Sequence, residues 1–168
     1  GGVPVIAGFI LGLLLYVALK IFRFSSSENV IEIFALVSVV LITAFIGIID
    51  DILGWKIGLS KRARIFLIIF AAIPLMVINA GESFFTLPLL GKINIGFLYT
   101  LVFIPLGVTG ASTTFNFVAG YNGLEARQGI LILSALAMAS WLIGESWLSI
   151  ALLCMIFALL AFLIFNHY

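Results

Sequence analysis

Two carboxylates, a run of basic residues and a pair of amides are the chemistry-bearing groups of this chain, and their spacing restricts what they can do. Asp50 and Asp51 stand side by side at the end of a purely apolar stretch. If that stretch is helical, its carbonyl end is already electronegative, so adjacent carboxylates repel each other and the helix dipole. A cation relieves this placement, either a divalent metal or Lys56 and Lys61 across the following loop. A solvated pair that merely stops the helix is the plain alternative. Lys61, Arg62 and Arg64 follow within one short segment. A basic cluster beside acids can bind a phosphate that a metal bridges to those acids, whereas alone it reads as an ordinary basic anchor.

The segment Asn116-Phe117-Val118-Ala119-Gly120-Tyr121-Asn122-Gly123-Leu124-Glu125-Ala126-Arg127-Gln128-Gly129 is the most informative stretch. Gly120 and Gly123 permit turns that other residues resist. The amides Asn116 and Asn122 each offer a carbonyl to a hard cation and an NH2 to a substrate oxygen. A plain helix-to-helix connection explains Asn122-Gly123 as a turn and Glu125 as a helix-start acid. It leaves Asn116 unexplained, because an unpaired amide close to an apolar helix is costly.

The elements that must position these groups are membrane helices. The chain is 64% hydrophobic and 9% charged over 168 residues, with a mean hydropathy of +1.36, against roughly 25% charged residues in a soluble domain. At about 20 apolar residues per crossing, this length holds roughly six spans and no separate soluble domain. We therefore expect an all-α integral membrane protein, a single transmembrane domain over 1–168, with spans near 3–22, 30–49, 65–78, 95–108, 130–143 and 147–165. The third to fifth are short, their apolar centres covering only about 21 Å. A small β-hairpin is expected near 86–95 on the non-cytosolic side, around a Leu-Gly-Lys turn.

Basic residues in short loops favour the cytosol. With the loop after Asp51 placed inside, alternation puts Lys56, Lys61, Arg62, Arg64 and Arg127 on that side and Lys20, Arg23 and Lys92 outside. The inner loops then hold five basic and three acidic residues, the outer loops three and four, so the inner side is net positive. The same alternation gathers the N-terminal Gly-Gly pair, the Asp50-Asp51 turn, the Asn116 segment and the C-terminal Asn166-His167-Tyr168 on one face. The formal charge of +1 and the scattered bases exclude a nucleic-acid surface. Cys154 is the single cysteine and lies in an apolar run, so an internal disulfide and a cysteine metal cluster are excluded. His167 reads as an interfacial side chain, and Trp55, Trp141, Trp147 and Tyr168 as an aromatic belt.

The pattern Asn-x-x-Ala-Gly-x-Asn-Gly-Leu-Glu-Ala-x-Gln, with Asp-Asp some distance upstream at a helix end, resembles the polyprenyl-phosphate N-acetylhexosamine-1-phosphate transferases. Within them it is most similar to the archaeal and eukaryotic UDP-N-acetylglucosamine:dolichyl-phosphate type. Bacterial members usually carry Asp-Gly-x-Asp-Gly where this chain has Ala119-Gly120-Tyr121-Asn122-Gly123. The resemblance runs over essentially the whole chain, which reads as a fragment of an enzyme of roughly ten spans. It implies an Mg2+-dependent reaction, with Mn2+ as the substitute, in which a lipid phosphate attacks the β-phosphate of a UDP-sugar and UMP leaves.

On that resemblance, Asp50, Asp51 and Lys61 are catalytic. Asn116 helps hold the metal or its bound pyrophosphate, a further Asp ligand being expected beyond Tyr168. Gly120, Asn122, Gly123 and Glu125 shape the nucleotide side. Thr113 stands where the family commonly has Asn, and Arg127 where Gly is usual. The implied partners are UDP-N-acetylglucosamine, a polyprenyl or dolichyl phosphate and the bilayer, with a homodimer among the allowed assemblies. The implied location is the plasma membrane of a prokaryote or the endoplasmic reticulum of a eukaryote, with the site facing the cytosol. The fragment alone is expected to lack a complete metal site and to be inactive. Transfer of another N-acetylhexosamine-1-phosphate to undecaprenyl phosphate is the neighbouring reading. A transporter with Asp50, Asp51 and Asn116 along an ion path is the rival, disfavoured because these residues sit at helix ends rather than mid-membrane.

Overall fold

The computed structural model of the chain describes residues 2–54, 60–80, 84–87, 91–94, 96–118 and 123–165, with side chains described throughout except at 61, 84–87, 91–94 and 116–118. Its elements in order are α1 (Gly2–Phe24), α2 (Val30–Gly54), α3 (Lys61–Ala71), α4 (Ile73–Val77), β1 (Phe84–Leu87), β2 (Gly91–Asn94), a π-helical segment (Tyr99–Phe103), α5 (Ile104–Val118), α6 (Leu124–Leu142) and α7 (Ser146–Phe165). Three described helices, α1, α2 and α7, are long and apolar enough to cross a bilayer. With α3–α4, the π-segment with α5, and α6, they make six helical stretches in the expected order. The protein is a helical membrane protein.

The helices outrun the apolar runs that announce them. α2 continues past Asp50 and Asp51 to Gly54, α5 continues to Val118, and α6 begins at Leu124. Apolar runs mark the part of a helix that needs lipid or protein around it. The backbone can keep its hydrogen-bond ladder beyond that part, since the ladder is satisfied within the helix and does not depend on the polarity of the side chains. The third stretch is broken instead: Pro74, with no N–H and a ring that crowds the preceding turn, separates α3 from the five-residue α4. The hairpin forms, antiparallel with Phe84 opposite Asn94 and Leu87 opposite Gly91, but Gly91 and Lys92 are paired residues of β2 rather than part of a Leu-Gly-Lys turn.

The chain divides into two compact units, residues 1–33 with 115–168, and residues 34–114. In the first, α7 packs against both α1 and α6. Val5, Phe9, Leu13 and Val17 bury one stripe of α1 at helical spacing. Small residues let the backbones approach, which is how helices associate where lipid removes the hydrophobic drive. An added Cβ at Gly12 meets Cys154 Sγ at 3.2 Å, and one at Gly8 meets Ala158 Cβ at 3.7 Å. Across the other seam, buried Ser149 donates its hydroxyl to Ala137 O at 3.1 Å, and Gly144 at φ +89° turns the chain between α6 and α7.

Gly12→Leu is therefore expected to destabilise the α1–α7 seam by about 1–3 kcal/mol, the cost of over-packing a tight contact. Denaturation of the full-length protein in bicelles checks this, and an unchanged midpoint contradicts the Gly12–Cys154 contact.

In the second unit the core is Ile46 of α2 against Ile68 and Ala71 of α3, with Val108 of α5 packed on them. The π-helical segment stacks Tyr99 on Phe103, ring centroids 6.2 Å apart. Thr100 of that segment hydrogen-bonds Asn79, which follows α4 with a left-handed backbone at φ +49°.

Candidate functional site

The core of the second unit fixes where its charges lie. Ile46 and Asp50 are one helical turn apart on α2, and so are Arg64 and Ile68 on α3, so each pair shares a face of its helix. Packing Ile46 on Ile68 sets Asp50 beside Arg64, and the two form an ion pair through Arg64 Nη2 and Asp50 Oδ2. Side-chain exposures of 29% for Arg64 and 17% for Asp50 make this more than a solvent-screened surface pair. Asp51, next along, points away and is exposed. Arg64 Nε is buried and, among the described residues, has no hydrogen-bond partner; nor does the buried hydroxyl of Thr109 on α5.

Both helix ends here carry charge of the wrong sign for their own dipoles. The last two turns of α2 contain Asp50 and Asp51 and no base in the final turn, where the carbonyl end favours cations. The first turn of α3 contains Lys61, Arg62 and Arg64, where free N–H groups favour anions. Ser60 caps α3 by accepting from Ala63 N at 3.2 Å, and Arg64 N bonds Ser60 O at 3.0 Å, so this N-terminus is well formed. The Asp50–Arg64 pair offsets only part of the mismatch. What remains is a carboxylate end suited to a cation beside a basic end suited to a phosphate.

In the first unit, Asn116 lies in the last turn of α5, inside the helix rather than in a loop after it. Gly123 caps α6 in the left-handed conformation, φ +74°, without a side-chain hydrogen bond. It is buried, and its carbonyl accepts from Arg127 N at 3.1 Å. A side chain there costs roughly 1–2 kcal/mol in that conformation, which accounts for a glycine. Glu125, in the first turn of α6, is exposed and complements the positive helix end. Gly129 brings α6 close to its neighbours, an added Cβ meeting Leu159 Cδ1 at 3.5 Å and Phe115 Cε1 at 3.9 Å. Thr113, in the other unit, donates its hydroxyl to Thr109 O, so its proton is committed to the helix while its lone pairs are not.

Of the residues singled out in sequence, Gly120 and Asn122 lie outside the described residues, as do Trp55, Lys56, His167 and Tyr168; Lys61 and Asn116 are described by their backbone alone. Arg64 is the residue the sequence reading undervalued. That reading named Lys56 and Lys61 as offsets for the two acids and gave Arg64 only a share in the basic cluster. Helical spacing puts Arg64, Ile68 and Ala71 at i, i+4 and i+7 on one face of α3, but which acid that face meets depends on its packing against α2.

Among the described residues, no three His, Cys, Asp or Glu gather as a metal site. Mg2+ does not require such a cage. It keeps several waters and is commonly held by one or two carboxylates plus substrate phosphates, and the exposed Asp51 at a helix carbonyl end fits that donor set.

Comparison with known proteins places the chain among relatives. Residues 33–168 match the model of a family described as glycosyl transferase family 4. A protein of Saccharolobus solfataricus is 40% identical over all of this chain and 50% of its own length. A second, from Sulfolobus acidocaldarius, is 35% identical over the same shares. Both carry the name "Putative UDP-N-acetylglucosamine--dolichyl-phosphate N-acetylglucosaminephosphotransferase". A phospho-N-acetylmuramoyl-pentapeptide-transferase of a Wolbachia strain from Drosophila simulans is 30% identical over 99% of this chain and 51% of its own length. The chain thus spans about half the length of the curated relatives it matches. No solved structure matches it.

Proposed function

The chain belongs to glycosyl transferase family 4, and on that footing we propose that its protein transfers N-acetylglucosamine-1-phosphate from UDP-N-acetylglucosamine to a polyprenyl phosphate of the dolichyl type. An oxygen of the lipid phosphate attacks the β-phosphorus of the nucleotide sugar. The bond from that phosphorus to the bridging oxygen breaks, UMP departs with the electron pair, and a lipid-linked pyrophosphoryl sugar remains in the membrane. The observation that carries this reading is the α2–α3 apposition, where acids at a carbonyl end stand beside bases at an amide end. Three phosphoryl groups must be brought together there against their own repulsion, and phosphoryl transfer asks of the protein mainly positioning and charge neutralisation. The names of the two archaeal relatives favour the dolichyl-type lipid and the N-acetylglucosamine donor. The bacterial relative favours the undecaprenyl alternative less, because this chain has Ala119 and Asn122 where the bacterial pattern has two Asp.

In this reading Mg2+ would supply charge neutralisation for the diphosphate, with Mn2+ as a substitute; the family pattern assigns Asn116 to hold it, and the exposed Asp51 is by itself a carboxylate suited to a cation. Lys61, at the first position of α3, contacts phosphate. By the family pattern, Asn122 and Glu125 are assigned to the uridine side, with Gly120 and Gly123 as the glycines of the same motif. The positive-inside bias of the loops supports a site facing the cytosol, and the two archaeal relatives favour a plasma membrane over an endoplasmic reticulum. A homodimer is compatible with the exposed apolar helix faces. Incubating the full-length protein with sugar-labelled UDP-N-acetylglucosamine, dolichyl phosphate and MgCl2 is expected to give a labelled, solvent-extractable lipid that EDTA abolishes. No labelled lipid with any polyprenyl phosphate rejects the transferase reading.

A further inference from the structure

We propose that Arg64 is a positioning residue for Asp50: it fixes the Asp50 carboxylate so that the two adjacent acids of α2 play different parts, Asp50 held and Asp51 presented. The inference rests on the transfer reaction proposed above and deepens it. Three observations meet at this residue. Arg64 Nη2 pairs with Asp50 Oδ2 across fourteen residues of sequence. The pair stands one helical turn from the packed residues Ile46 of α2 and Ile68 of α3, which belong to one cluster with Ala71 and Val108. Arg64 Nε is buried with no hydrogen-bond partner among the described residues. A guanidinium serving only as a cytosolic anchor keeps its donors in water, whereas this one has given up hydration at Nε to hold its Nη2 against the carboxylate.

The chemical consequence is a division of labour. Two neighbouring carboxylates of equal freedom repel and share any cation loosely. With a guanidinium on one of them, the net charge of the pair falls by one and the first carboxylate has a fixed direction. The exposed Asp51 is then the group set to meet a cation or a phosphate-bound water. Arg64 acts through Asp50 and touches no reacting atom.

The test is kinetic, in the full-length protein. Arg64→Leu is expected to lower kcat by about 30-fold, inside the 10–100-fold range typical of residues that orient a ligand, with KM for UDP-N-acetylglucosamine unchanged within about threefold. Arg64→Lys, which keeps the charge and can make the single bond seen here, is expected to recover to within about fivefold of wild type. In an Asp50→Asn background, adding Arg64→Leu is expected to cost nothing further, because a residue acting only through Asp50 has nothing left to position. Losses that multiply show Arg64 acting on its own and overturn the proposal, as do a Arg64→Leu enzyme of normal kcat and a loss that falls on KM. If Arg64→Leu is not recovered folded, Arg64→Gln is read in the same way. Loss of activity that Lys does not relieve, with a matching fall in melting temperature, marks a structural residue and overturns it too. A wild-type protein without transferase activity defeats the functional reading itself, whereas an active wild type with an indifferent Arg64 defeats only this inference.

Discussion

Asp51→Ala in the full-length enzyme is expected to lower kcat by about 10³-fold while the protein remains folded in the membrane, the upper range for removing a group that stabilises transition-state charge. The two halves of that expectation come from different observations. Asp51 is exposed and makes no side-chain hydrogen bond or ion pair with the described residues, so its removal orphans no partner among them and falls among surface substitutions usually within about ±0.5 kcal/mol of neutral. Its place on the carbonyl end of α2, where an anion is unfavourable without a counter-charge, gives it no structural purpose to lose. Steady-state rates together with a detergent melting curve check both halves. Near-normal turnover removes Asp51 from the site, and collapse of the fold shows that it supports the helix end after all.

Asn116→Ala is expected to cost about 10²-fold in kcat, the order expected when a single neutral ligand or hydrogen-bond donor to a developing charge is removed. Asn116 sits inside α5, in its last turn. Thr113 and Thr114 on the same helix return their hydroxyl protons to the carbonyls of Thr109 and Gly110, the usual way a polar side chain is tolerated on an apolar helix. An amide with two donors and an acceptor is not quieted so simply, which argues that Asn116 is retained for a ligand. Asn116→Asp, which keeps an oxygen ligand, is expected to retain more activity than Asn116→Ala, with a changed Mg2+ requirement. Equal rates for wild type and Asn116→Ala discard the assignment.

Much of this architecture was legible because lipid imposes it. The apolar runs located six helical stretches, and the β-prone residues near 86–95 located the hairpin, although Gly91 and Lys92, expected in its turn, are paired residues of β2. Helix ends were less legible. Polarity at Asp50 and Asp51 reads as the end of a helix that in fact runs to Gly54, and polarity at Asn116 as the start of a loop, although α5 continues to Val118. Polarity says where a segment leaves the membrane and not where its backbone ladder ends. The π-helical turn at Tyr99–Phe103 has no signal in those five residues. Pro74, by contrast, announced the break between α3 and α4, had the apolar run over 65–78 not been read as one span.

At the site, residue types and spacing gave the acids, the bases and the glycine at Gly123, whose left-handed backbone explains its identity. The pairing of Asp50 with Arg64 was not legible from spacing along the chain, because it depends on Ile46 meeting Ile68. Tertiary packing brings Arg64 to Asp50 while Asp51 is exposed, so the two adjacent carboxylates are inequivalent.

The central claim is that a phosphosugar, not a bare sugar, moves to the lipid. UDP-N-acetylglucosamine labelled with 32P at its β-phosphate, supplied to the full-length protein with dolichyl phosphate and MgCl2, tests this directly. The account requires the label in the extracted lipid and unlabelled UMP in the aqueous phase. Label retained as UDP, with sugar alone on the lipid, contradicts it.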